Sequence, residues 1–152
     1  MKTALKINFI SFLFLSVACL SGCPHDPYRA SLLGSDDVSA SVHAAIGITS
    51  SYYGDGLVDD NEKKVVATYL NTVTDANMDF RKCAVGAHTA GSLGQTPFLG
   101  CATAFVQQAS ATDPASFGFK NAKAQTTLKT YLQAITTAIK GISLAIQSAK
   151  GK

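Results

Sequence analysis

The chain has 152 residues, 47% of them hydrophobic, and its 13 Lys and Arg against 10 Asp and Glu leave a formal net charge of +3. That length allows one domain with a single packed core. The basic residues are dispersed and not interleaved with aromatics, which excludes a nucleic-acid footprint.

The first segment is a targeting signal. Met1 to Lys6 is cationic, Phe9 to Leu20 is an uncharged apolar run, and Leu20-Ser21-Gly22-Cys23 closes it. The run is shorter than the roughly 20 apolar residues a bilayer span needs, so it reads as a secretory signal. The closing tetrapeptide resembles the lipobox of bacterial lipoproteins. The resemblance covers residues 1–23 only and implies cleavage before Cys23, a diacylglycerol on its thiol and an acyl chain such as palmitate on its new amine. Chains of this kind hold a protein on a membrane at about 0.8 kcal/mol per buried methylene. An ordinary cleaved signal with a coincidental cysteine is the competing reading. By the same resemblance, the residue after the lipidated cysteine influences membrane sorting. Pro24 is not the Asp that retains a lipoprotein at the inner membrane, so the outer membrane facing the periplasm is expected ahead of the inner membrane or the cell surface.

With Cys19 removed and Cys23 acylated, Cys83 and Cys101 remain. An even remainder in an exported chain reads as a disulfide, here contributing about 3 kcal/mol by loop-closure entropy. A metal pair lacks the clustered Cys/His spacing of a zinc site.

Residues 23–34 carry Pro24, Pro27 and no apolar period, so they read as a lipidated tether, with a helical domain over 35–152. Ser35-Asp36-Asp37 has the pattern of a helix start. Val38, Val42, Ala45, Ile46 and Tyr52 or Tyr53 then recur at helical spacing to about Ser51, and Gly54-Asp55-Gly56 breaks the helix. Asp59 and Glu62 fit a capping box opening a second helix. Its stripe is Val66, Tyr69/Leu70, Val73, Ala76/Asn77, Phe80 and Cys83/Ala84. After a glycine-rich turn over 88–95, Thr96-Pro97 starts a third helix with Phe98, Cys101, Ala102, Phe105 and Ala109 inward. In the loop over 110–120, Phe117 and Phe119 are expected to fold back onto the bundle. A last helix from about Asn121 repeats Leu128, Ile135, Ile142 and Ala149 every seven residues. The fold class predicted is all-α, a small four-helix bundle with helices two and three joined by the disulfide.

Several motifs invite chemistry. Residues 51–62 resemble a degenerate EF-hand loop in which Asp55, the Leu57 carbonyl, Asp59 and Glu62 are the calcium ligands. Ser51 and Tyr53 stand where the first-half carboxylates belong, and the capping box explains Asp59 and Glu62 without an ion. Ala90-Gly91-Ser92-Leu93-Gly94 is similar to a nucleophile elbow, but no strand precedes it. His25, His43 and His88 are far apart, Asp75 and Asp79 fit a solvated helix face, and Tyr52-Tyr53 fits a helix end better than a sugar or base site. The acids of the first half and the bases of the second are expected to pair internally, with a basic end laid on anionic lipid as the alternative.

No catalytic residue, cofactor or resident metal is expected. The reading is a membrane-anchored envelope lipoprotein with a non-catalytic binding or assembly role toward another protein. A calcium-dependent regulatory or adhesive module is the alternative. In architecture alone it resembles the secretin pilotins, small helical lipoproteins with a disulfide.

Overall fold

A computed structural model describes residues 27–91 and 96–150. Among the described residues there are four helices, α1 (Pro27–Gly54), α2 (Asp60–Thr89), α3 (Thr96–Ala109) and α4 (Ala122–Lys150), with one 3-10 turn at Pro114–Ser116 before α4. Cys23 and His25 lie outside the described residues, as does most of the supposed elbow.

The helices run alternately up and down, and each packs chiefly against its two neighbours in the cyclic order α1, α2, α3, α4. Antiparallel pairing of α1 with α4 is fixed at two heights. The Tyr52 hydroxyl donates to Thr127 Oγ1 at 3.1 Å, and Gly34 lies against Ile142. Cys83 and Cys101 form the disulfide that ties α2 to α3, with a Cα separation of 5.7 Å. One level away, Phe80 and Phe105 meet at 5.4 Å between ring centroids. No helix among the described residues is long and apolar enough to cross a membrane.

The core follows the apolar period in α2, α3 and α4. Val66, Tyr69, Leu70, Val73, Phe80, Phe98, Phe105, Leu128, Leu132, Ile135 and Ile142 are all buried. Phe117 and Phe119 turn inward as expected, Phe117 edge-on to Tyr69 at 5.7 Å. Asp59 is the N-cap of α2 and the reciprocal capping box with Glu62 is complete. Asn121 Oδ1 accepts from the Lys123 and Ala124 amides at 3.0 and 3.2 Å and starts α4 in the same way.

Two expectations need correction. The first helix begins at Pro27 and not at Ser35, so residues 27–34 are helix and not tether. Their inward side is Ser31, Gly34 and Ser35, all buried, in step with Val38, Val42 and Ala45. This face is helical in period but small and polar in content, so an apolar count does not register it. The buried hydroxyls are served locally: Ser31 Oγ donates to the Tyr28 carbonyl at 2.9 Å, and Thr49 Oγ1 to the Ala45 carbonyl at 2.7 Å. Small residues are also what lets α4 come close. A Cβ on Gly34 would stand 2.6 Å from Ile142 Cγ1. The second correction concerns Ile46, which faces solvent while Ala45 is buried; of the alternatives Tyr52 and Tyr53, Tyr52 is the buried one.

Candidate functional site

The end of the bundle where α1 turns into α2 holds the residues of the EF-hand-like stretch. Gly56 takes a φ of +69°, a left-handed conformation that glycine adopts without strain. The Leu57 amide then donates back to the Tyr52 carbonyl at 2.8 Å, and Val58 is buried. The chain is thereby aimed so that Asp59 caps α2. Asp59 Oδ1 accepts from the Glu62 amide at 2.9 Å, and Glu62 Oε2 accepts from the Asp59 amide at 2.8 Å.

The other two oxygens are also engaged. Lys120 Nζ donates to Asp59 Oδ2 at 2.7 Å, and the Lys120 backbone amide donates to Glu62 Oε1 at 2.6 Å. Lys120 therefore closes a clasp between the loop before α4 and the first turn of α2. The Asp59 carboxyl is held below its ordinary value, first by the Glu62 amide and then by Lys120, and Lys120 is raised by Asp59 in return. Both groups stand in water, so the pair is screened and contributes mainly geometry.

Of the four EF-hand positions, the structure joins Asp59 to Glu62 and gives their oxygens to protein N–H donors. Asp55 is exposed on the turn, apart from the Asp59–Glu62 cap, and Leu57 is partly buried there. Among the described residues no three His, Cys, Asp or Glu side chains are grouped as a metal ion requires. Beside the clasp lies a shallow depression of about 380 Å3 lined by Asp59, Asn61, Glu62, Gly118, Phe119 and Lys120. It is open to solvent, and a second depression beside it shares Asn61, Glu62, Gly118 and Phe119 and adds Val65, Val66 and Phe117 to the lining.

The remaining candidates are placed as follows. Tyr53 leaves the core, donates to Asp60 Oδ1 at 2.8 Å and lies beneath Lys63 Nζ, 3.7 Å from its ring centroid. That hydrogen bond and the Asp60 charge push its hydroxyl pKa up. His43 is exposed. His88, in the last turn of α2, stacks on Tyr28 at 4.3 Å with the rings 8° from parallel. Asp79 faces Lys82 at 3.9 Å on the outer side of α2, and Asp75 is exposed on that helix. The two halves of the chain do pair, through Arg81 with Asp36 as well as Lys120 with Asp59.

Sequence reasoning missed the polar contact between α1 and α2. Asn77 is buried and its Nδ2 donates to the Ser35 carbonyl at 3.1 Å and to Ser39 Oγ at 3.0 Å. Arg81 Nη1 reaches Ser35 Oγ one turn further on, at 3.2 Å. An Asn in the apolar stripe was the available signal, standing at a position shared with Ala76.

The chain matches no protein-family model, and no curated protein is significantly similar to it. No solved structure is significantly similar either, so the likeness to pilotins gains no support.

Proposed function

We propose that this chain is an exported lipoprotein of the bacterial envelope, acylated at Cys23, whose bundle binds another protein and does no catalysis. The observation that carries the reading is Leu20-Ser21-Gly22-Cys23, placed directly behind a cationic start and a short apolar run. The Cys83–Cys101 disulfide supports it, because such bridges persist in oxidising compartments. Against chemistry at the clasp stands the engagement of all four Asp59 and Glu62 oxygens, two in the cap of α2 and two in bonds from Lys120. With Pro24 in place of the Asp that retains lipoproteins at the inner membrane, the reading places the acylated chain at the outer membrane, facing the periplasm. The test is photo-crosslinking in intact cells from probes at exposed positions, Asn61 and Ile46 among them. A single protein partner trapped from a contiguous set of positions supports the reading. Recovery of the chain alone from every position contradicts it.

A further inference from the structure

We propose that the bundle is seated on an anionic phospholipid surface through the end formed by the start of α1, the last turns of α2 and the last turns of α4. The proposal rests on acylation of Cys23. Residues 24–26 alone separate that cysteine from Pro27, the first helical residue. Four extended Cα steps reach at most about 14 Å, so the first turn of α1 stays near the bilayer interface. The 28 residues of α1 place the opposite end roughly 42 Å away at about 1.5 Å per residue.

The near end carries what an interface rewards. Leu33, Val85 and Leu144 are 53%, 49% and 65% exposed and come from three different helices. Counted back from Pro27, Thr89 and Lys150, they stand at heights of roughly 6–9 Å. Apolar side chains of interfacial helices are buried about 5–10 Å into the headgroup and acyl boundary. Lys140 is exposed and stands about 15 Å from the end of α4, level with headgroup phosphates once the apolar side chains are immersed. From Gln133 to Lys152 the chain holds Lys140, Lys150 and Lys152 and no carboxylate.

The far end also exposes apolar groups, Ile46, Tyr53 and Val65, yet its rim carries Asp55, Asp59, Asp60 and Glu62. Those carboxylates offset the nearby lysines, and Tyr53 is already tied between Asp60 and Lys63. The near end has carboxylates of its own, Asp26, Asp36, Asp37 and Asp79, of which Asp36 is paired with Arg81 and Asp79 with Lys82, but Arg29, Arg81, Lys82, Lys140, Lys150 and Lys152 outnumber them. An anionic surface therefore selects the near end first on reach and then on the balance of charge. The seat leaves the Asp59–Lys120 clasp as the face turned away from the membrane.

The test uses the full acylated protein extracted from membranes and reconstituted into vesicles of mixed phosphatidylglycerol and phosphatidylcholine. Gln147→Cys and Asn61→Cys each give one thiol for an environment-sensitive fluorophore, since the native pair is oxidised. Nitroxide lipids are expected to quench the label at position 147 severalfold more than the label at position 61. The Leu33→Glu/Leu144→Glu variant, altered only at exposed sites, is expected to lose most of that quenching while keeping its helical spectrum and Tm. Equal, weak quenching at both positions on a protein whose mass shows acylated Cys23 overturns the seat and leaves the anchor standing. Quenching unchanged by the two glutamates likewise overturns it. Absence of the acyl mass overturns the anchor and the seat together.

Discussion

Gly34→Ala tests the packing of α1 against α4 most sharply. In an exposed helix interior, alanine for glycine stabilises by about 1 kcal/mol. Here the new methyl lies 2.6 Å from Ile142 Cγ1 and 3.4 Å from Cδ1. Ile142 is fully buried and β-branched, so it has essentially one χ1 rotamer in a helix and cannot swing aside. Overpacking of this kind costs about 1–3 kcal/mol, which outweighs the propensity gain and leaves Gly34→Ala destabilising by about 1 kcal/mol. In the Ile142→Ala background, itself down by about 2–5 kcal/mol, the clash is gone and a cavity receives the methyl. There Gly34→Ala becomes stabilising by about 1 kcal/mol. Urea unfolding of the four proteins in the double-mutant cycle, with the disulfide intact, reads the sign change directly. Stabilisation by Gly34→Ala in both backgrounds would refute the close packing of Gly34 on Ile142, and no effect in either would restore residues 27–34 to a tether.

Four other outcomes are expected. Cys83→Ser, or reduction of the wild type, should lower stability by about 3 kcal/mol for a bridge of this span; equal Tm with and without reductant would mean that the bond does not form. Asn77→Ala should cost about 1–3 kcal/mol through the loss of one buried and one part-buried hydrogen bond, and Asn77→Asp more at neutral pH because a carboxylate then faces the Ser35 carbonyl; denaturant melts that rank them the other way would displace Asn77 from the α1–α2 contact. Because Asp59 titrates below its ordinary 3.8, its contribution is complete above that pH and is lost as the pH falls through the lower folded value. Acid unfolding of Asp59→Asn should therefore lack that component, and parallel profiles would contradict the cap. Calorimetric titration with calcium at millimolar concentration should give no heat, whereas a binding isotherm abolished by Asp59→Asn would revive the EF-hand reading.

What the residues disclosed in advance follows from size and range. The bulky side chains of α2, α3 and α4 recur at i, i+3, i+4 and i+7, and the caps at Asp59 and Asn121 act within one turn. Both signals are local, and both correspond to observed structure. The first two turns of α1 are invisible to the same reasoning because Ser31, Gly34 and Ser35 are small residues whose burial depends on partners distant in sequence, Ile142 beside Gly34 and Asn77 beside Ser35. Ile46 was misplaced because neighbours 45 and 46 both fit a broad stripe, and the buried face of α1 is narrow enough to take only the alanine. Within the candidate site, the capping box was legible and the clasp was not. Lys120 meets Glu62 and Asp59 across 58 and 61 residues, and no pattern in the intervening chain specifies that meeting.

The central claim is the lipid on Cys23, and the intact mass of the protein extracted from cell membranes tests it most directly. The account predicts a chain beginning at Cys23, heavier by a diacylglyceryl group and one acyl chain, and loss of that species in Cys23→Ser. A mature chain beginning at another residue, or one with an unmodified Cys23 thiol, would contradict it.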